Sequence, residues 1–142
     1  VMILNNGKAS ETKSWTVKLG VNQCFMKIRN LILNEKNKEI PAEIIENYLR
    51  FGNADVGAEY QKLMEQSVKE YADEIFAELR NYGYDSELMR FYIMGGGATI
   101  IELVGDYDKE RVTFNHDIRA NAKGYEYFCY MKLRSQAKAG RR

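Results

Sequence analysis

The spacing of apolar residues along the chain predicts four strands and five helices. Between residues 57 and 82, apolar side chains recur every three or four positions, from Tyr60 to Leu79, which is the period of an amphipathic helix. Residues 88–94 instead form a short apolar run interrupted only by Arg90, as expected of a buried strand. The predicted strands are 1–4, 15–19, 88–94 and 111–115, and the predicted helices begin near residues 21, 41, 57, 98 and 119.

Turn and cap residues separate these elements. Asn6-Gly7 tolerates the positive φ angles of a tight turn and predicts a hairpin after the first strand. Gly83 is expected to cap the end of the long helix, and Asp55 to cap its start. The resulting order, two strands, three helices and then strand, helix, strand and helix, predicts a mixed α/β fold whose later strands are parallel.

Composition and charge narrow the function classes. The 142 residues suit one domain, and a net charge of +1 indicates no direct nucleic-acid site. Cys24 and Cys129 are far apart, so we expect reduced thiols in a cytoplasmic protein, with Cys24 buried on the apolar side of its helix. A single histidine, His116, excludes nearly every structural zinc site. No apolar run reaches the roughly 18 residues of a membrane helix, so no membrane partner is expected.

The first residues resemble the later part of a strand and lack the features of a signal peptide. Their apolar stretch, Val1–Leu4, is short and turns polar at once. From this we expect the chain to begin inside a larger protein.

Gly95-Gly96-Gly97-Ala98 is the most informative motif, because it follows a predicted buried strand and precedes a predicted helix. Three glycines let the backbone approach a flat ligand such as adenine and ribose, and a helix N-terminus favours phosphate or ribose oxygens. A tight turn without a ligand is the alternative, since glycine clusters mark turns in general. The motif is neither a dinucleotide fingerprint nor a P-loop.

The wider context resembles the actin-like ATPases of bacterial plasmid segregation, the ParM/StbA type, within the actin/Hsp70/hexokinase superfamily. Residues 92–98 resemble the adenosine motif of that superfamily, and Ala120-Asn121-Ala122-Lys123-Gly124-Tyr125 resembles the segment that opens the last helix of these plasmid proteins. Leu19-Gly20-Val21 resembles the strand-to-helix junction whose glycine approaches the ribose. The resemblance covers the chain from residue 1 to about residue 133.

The resemblance implies a fold and a site. The fold would be the C-terminal half of an actin-like (ribonuclease H-like) ATPase, a mixed sheet flanked by helices with a helical insertion at about 34–84. ATP with Mg²⁺ would bind to the intact protein, which would form filaments and move plasmid DNA through a DNA-bound adaptor. The implied nucleotide-binding residues are Gly95, Gly96, Gly97 and Ala98, with Gly20 on the ribose side, and with Glu46 and Arg50 as candidates whose alternative is an ordinary solvated helix face.

The same resemblance shows what is missing. Asp55-Val56-Gly57 matches three letters of the superfamily's phosphate-loop pattern, but no buried strand precedes it and no Thr or Ser follows at the right place. Both phosphate loops and the catalytic acid or amide are therefore expected upstream of Val1. Because phosphoryl transfer needs these parts together, we expect no catalytic residue and no metal ligand in this chain, and no ATPase activity from it alone.

Two further features of the last helix have alternative interpretations. Tyr125, Tyr127, Phe128 and Tyr130 would suit base stacking, but core or interface packing is more typical of such a cluster. The basic tail, 134–142, is interpreted as a frayed end, with a contact to DNA, an adaptor or a neighbouring subunit as the alternative. His116-Asp117 lacks a nucleophile motif and is expected in a surface loop.

Two other functions remain open. One is a non-enzymatic scaffold or binding domain that keeps the half-fold. The other is a sugar-kinase or chaperone relative within the same superfamily.

Overall fold

A computed structural model describes residues 1–5 and 8–139, with the side chains of 8–13, 135 and 137–139 left undescribed. The described chain is a mixed α/β structure, and its elements follow the predicted order. The strands are β1 (Met2–Asn5), β2 (Lys8–Ser14), β3 (Phe91–Met94) and β4 (Val112–Asn115); the helices are α1 (Val21–Lys36), α2 (Ala42–Phe51), α3 (Ala58–Asn81), α4 (Gly97–Val104) and α5 (Ala120–Ala139).

The described strands form two separate sheets, in place of the single mixed sheet that was expected. β1 and β2 pair antiparallel, with Leu4 opposite Ala9 and Asn5 opposite Lys8. The predicted Asn6-Gly7 turn lies outside the described residues. β3 and β4 pair parallel, in register from Phe91 opposite Val112 to Met94 opposite Asn115, which confirms the predicted direction of the later strands.

The prediction of a strand at 15–19 was wrong, because β2 ends at Ser14. The side chains at 15, 17 and 19 are indeed less exposed than those at 16 and 18, but other elements hold this segment. Trp15 stacks on Tyr82, with ring centroids 4.3 Å apart, and the carbonyl of Leu19 accepts a hydrogen bond from the Tyr71 hydroxyl. Trp15 also exchanges two backbone hydrogen bonds with Val1, so the hairpin pairing ends there, and the alternating burial of the residues that follow comes from other contacts.

The main core lies between α1, α2, α3 and α4. Its residues are buried side chains that recur at helical spacing, and they include Cys24, Ile28, Ile32, Ile45, Tyr48, Leu49, Met64, Val68, Tyr71 and Ile100. Cys24 is fully buried as predicted, and burial raises the pKa of its thiol to about 12. The helices of the expected insertion, α2 and α3, thus share one core with α1 and α4.

Glycines end two of these helices. Gly83, at φ +88°, follows α3; its N–H donates to the carbonyl of Arg80, and the N–H of Tyr84 donates to that of Leu79. This pair of bonds is a Schellman motif and confirms Gly83 as the cap. Gly52, at φ +74°, ends α2 in a similar left-handed conformation.

Asp55 does not cap α3, contrary to the prediction. The cap position is Gly57, which makes no side-chain hydrogen bond, and Asp55 lies two residues earlier. A side chain two positions before the cap is too early to bond to the first-turn N–H groups in the usual way.

The β3–α4–β4 unit carries the second core. Its buried residues are Phe76, Leu79, Ile93, Ala98, Ile101 and Val112. One face of the small parallel sheet therefore packs on the C-terminal part of α3 and on α4. This arrangement places the Gly95–Gly97 turn at the carboxyl end of β3, directly before α4.

The described side chains of α5 belong to neither core. Its aromatic residues are exposed, with Tyr125 74% and Phe128 66% accessible. The interpretation of this cluster as core packing was therefore wrong for the described chain, while packing at an interface stays a prediction. α5 extends to Ala139, and residues 140–142 of the basic tail lie outside the described residues.

Candidate functional site

The turn between β3 and α4 requires glycine at only one of its three glycine positions. Gly95 has φ +87°, a conformation that residues with side chains rarely adopt. Its N–H donates to the carbonyl of Asn115 at 3.2 Å, and its carbonyl accepts from Ala98 N–H at 3.1 Å. Gly96 has φ −62° and ψ −24°, and Gly97 is the first residue of α4, so any residue would fit their backbone conformations.

Packing does not require these other glycines either. A Cβ placed on Gly97 would meet no atom within 4 Å, and one on Gly96 would meet only Val21 Cγ2, at an ordinary 3.9 Å. Glycine in the first turn of a helix nevertheless costs backbone entropy, at about 1 kcal/mol relative to alanine in a helix interior. The tight turn therefore requires glycine at position 95, whereas Gly96, the N-cap of α4, and Gly97 are permitted but not required to be glycine.

The start of α1 lies beside this turn. Gly20 precedes α1 at φ −80°, and a Cβ on it would also meet nothing within 4 Å. The 3.9 Å approach of Val21 to the Gly96 position brings the N-termini of α1 and α4 together. Neither helix has an acidic residue in its first turn. Two positive helix ends thus border a strip of bare backbone, which suits an electron-rich ligand.

Ala98 is fully buried, and its side chain packs in the second core directly after the glycine turn. Its N–H is already bonded to Gly95. Of the four motif residues, Gly96 and Gly97 therefore offer the accessible backbone, and the N–H of Gly97 lies in the first turn, where a helix supplies no partner.

Glu46 and Arg50 are exposed on α2, and α2 meets α4 at the end of α4 remote from the turn. There Gly52 contacts Leu103, and a Cβ on Gly52 would lie 2.7 Å from Leu103 Cδ2. Leu103 lies six residues after Gly97, which is about 9 Å along a helix. The Arg50 guanidinium lies over the ring of Phe51, at 5.9 Å. This geometry favours the solvated-face alternative for both residues.

A group of polar residues at the same sheet edge was not identified from the sequence as a site. His116 follows β4; its Nε2 lies 2.9 Å from a Glu102 carboxylate oxygen, and its Nδ1 lies 3.5 Å from Thr99 Oγ1. All three are accessible and lie beside the glycine turn, since the carboxyl ends of β3 and β4 share one edge. The predicted parallel pairing of 88–94 with 111–115 was the signal that could have found them.

Asp117 accepts hydrogen bonds at the start of α5. One oxygen accepts the backbone N–H of Arg119 at 2.9 Å, and the other accepts from the Lys123 ammonium. These bonds, the Lys123 contact first, hold the pKa of Asp117 below its usual value. His116 and Asp117 lie in the exposed connection after β4, as predicted, and Asp117 is occupied in starting the helix.

The described residues show neither a metal site nor a membrane-spanning helix. No group of three or more His, Cys, Asp or Glu side chains in 1–5 and 8–139 is arranged to hold a metal ion. Among the helices described, none combines the length and apolarity needed to cross a membrane.

Comparison with known proteins identifies no relative: no protein-family model, curated protein or solved structure matches this chain.

Proposed function

We propose that this chain is the adenosine-binding half of an actin-like ATPase that assembles into filaments for plasmid or DNA segregation. One observation carries the nucleotide-binding part. Gly20, Gly96 and Gly97 lie at two adjacent helix N-termini, and neither conformation nor packing requires glycine at any of them. A flat ligand that approaches the backbone closely gives one physical reason for the lack of a side chain at all three positions.

The chemistry of this surface fits adenosine better than an isolated phosphate. A bare backbone strip accommodates a planar ring or a ribose, and the Gly97 N–H is placed to donate to a ligand oxygen or ring nitrogen. No lysine follows the turn within α4 to meet a phosphate group. We therefore assign contacts with base and sugar to this half, and contacts with the phosphates to residues outside it.

ATP, when bound, supplies the phosphoanhydride whose cleavage would make filaments dynamic. This chain's own residues bind and orient the adenosine part of the ligand, and the described residues contain no group of three or more His, Cys, Asp or Glu side chains arranged to hold a metal ion. Self-association, a DNA-bound adaptor as partner and action in the cytoplasm belong to the proposal through the resemblance of residues 92–98 and 120–125 to the plasmid-segregation proteins.

Replacing Gly96 tests the site. Gly96→Val adds a branched side chain where the backbone conformation and the surrounding space tolerate one, so folding should be preserved. Gly57→Val is the matched control, because Gly57 also caps a helix and a Cβ placed on it would meet no atom within 4 Å. The measurement is calorimetric titration of full-length protein with ATP, ADP and GTP in magnesium, followed by pelleting with each nucleotide.

Tight binding of ATP and ADP by the wild type and by Gly57→Val, with at least a tenfold loss in Gly96→Val, would support the pocket. Pelleting that appears with ATP and decays as phosphate is released would support the filament. Unchanged affinity in Gly96→Val would refute the pocket, and binding without pelleting would favour a kinase or chaperone relative. A scaffold role is the second candidate, favoured by the exposed aromatic residues of α5; it predicts self-association with no nucleotide binding at all.

A further inference from the structure

A cavity of about 200 Å³ lies between α2, α3 and the C-terminal half of α4. Its apolar wall contains Leu49, Val68, Ile100, Leu103 and Val104. Val68 and Ile100 are 1% exposed and belong to the main core, whereas Leu103 is 46% exposed and borders the opening. A cavity of roughly 150 Å³ accommodates a benzene ring, so this one can hold a single ring with a short substituent.

Three polar side chains complete the lining: Tyr48 from α2, and Gln61 and Glu65 from α3. Gln61 and Glu65 are four residues apart, so they lie on the same side of α3. None of the three side chains forms a hydrogen bond or an ion pair with any residue that the structure describes. An apolar cavity with a few convergent polar groups is the usual form of a small-molecule site.

Tyr48 is the most informative of these residues, because it is only 5% exposed and buried hydroxyl groups normally have a hydrogen-bond partner. Among the described side chains that are not exposed, Trp15 Nε1 is the only fully enclosed polar atom without a partner. The Tyr48 hydroxyl therefore keeps some accessible surface, at the cavity that it lines. Burial raises the pKa of Tyr48, and the Glu65 carboxylate raises it further. Hydroxyl and carboxylate thus act on the same small volume.

The charge of this volume is negative. Glu65 has no cationic side chain within ion-pair distance in the described chain, and Lys69, one turn later on α3, is paired with Asp73. Lys62, on the turn before, does not line the cavity. An ammonium group carries three hydrogen-bond donors, and its bond to a carboxylate is about twice as strong as a bond between neutral groups. A ligand amine would therefore satisfy both Glu65 and the Tyr48 oxygen.

We propose that this cavity binds a small organic cation in which one ring carries an ammonium group on a short carbon chain. The ring packs against the apolar wall, and the ammonium group donates to the Glu65 carboxylate and the Tyr48 hydroxyl oxygen. The site is separate from the glycine turn, which lies at the other end of α4, and it does not depend on nucleotide binding there.

Methyl NMR titration of the 142-residue chain with benzylamine tests the site. Benzyl alcohol and benzoate are the matched probes, because they present the same ring with a neutral and a negative group. Benzylamine should shift the methyl signals of Val68, Ile100 and Leu103, with a dissociation constant of about 1 mM, as expected for a ligand of so few atoms. Benzyl alcohol should bind at least threefold more weakly, and benzoate should not bind.

Two variants separate the contributions of charge and hydroxyl. Glu65→Gln keeps the shape of the side chain and should abolish the preference for benzylamine over benzyl alcohol. Glu35→Gln, at an exposed glutamate of α1 outside the cavity, is the control and should retain that preference. Tyr48→Phe keeps the buried ring and should weaken benzylamine binding at least threefold. Far-ultraviolet circular dichroism and thermal unfolding establish that each variant is folded.

Three results would overturn the proposal. If none of the probes shifts the signals of the lining methyl groups, the cavity takes up water alone. A preference for benzylamine that survives in Glu65→Gln would show that the carboxylate does not hold the cation. Tighter binding of benzoate than of benzylamine would show that the cavity does not select positive charge.

Discussion

Tyr71 joins α3 to the segment that leads into the candidate site. The side chain is 1% exposed, and its hydroxyl donates to the Leu19 carbonyl at 2.8 Å, across 52 positions of the chain. Tyr71→Phe keeps the ring and removes this bond. The Leu19 carbonyl then lies partly buried without its donor, and such a loss costs about 1–3 kcal/mol.

That cost is a large share of the stability of a typical domain, about 5–15 kcal/mol. At about 4 °C per kcal/mol for a chain of this size, the midpoint of thermal unfolding should fall by roughly 4–12 °C. Calorimetry and urea titration would measure the change. Tyr82→Phe is the matched control, because it also removes one hydroxyl while its ring stacks on Trp15; we expect less than about 0.5 kcal/mol.

The two tyrosines differ in the burial of the group removed, so equal effects would refute the reasoning. A stabilised Tyr71→Phe would show that the hydroxyl is a net cost in its buried position. In either case the Leu19 segment would have to be held by apolar packing alone.

Three other perturbations have defined outcomes. Ellman's reagent should label exposed Cys129 quickly and buried Cys24 only after unfolding; fast labelling of Cys129→Ser would contradict the burial. Gly83→Ala, at φ +88°, should destabilise by about 1 kcal/mol, and Gly57→Ala, at φ −59°, should destabilise less, as urea unfolding would show. Burial raises the pKa of Cys24 from 9.0, and that of Tyr71 from 10.0, to about 12. Their contribution to stability is therefore complete below pH 9 and declines as the pH rises towards 12. A stability that stays constant through this range in alkaline unfolding measurements would disprove this.

The order of elements could be predicted because local periodicity and glycine placement determined it. The stripe from Tyr60 to Leu79 and the cap at Gly83 depend only on neighbouring residues, and both were predicted correctly. Trp15 and Leu19 were misassigned because their alternating burial comes from contacts with α3, more than fifty positions away. Periodicity shows which side chains are buried, and it does not show which element buries them.

For the candidate site too, the sequence predicted the position but not the contacts within it. The strand–glycine–helix order located the turn, but only the backbone angles show that Gly95 is required by the turn and Gly96 is not. The contact of His116 with Glu102 depends on how β4 aligns with β3, which sequence spacing leaves undetermined. The exposure of α5 was missed because an aromatic cluster looks the same in sequence whether it fills a core or an interface.

The stack of Trp15 on Tyr82 has a practical consequence. Trp15 is the sole tryptophan of the chain, and it bridges the N-terminal hairpin and the C-terminal end of α3. Its side chain is partly buried and its indole N–H has no hydrogen-bond acceptor among the described atoms, so its emission should lie at shorter wavelength than that of a fully solvated indole. The protein thus contains its own optical probe, whose red shift would register release of the hairpin separately from the loss of helical signal.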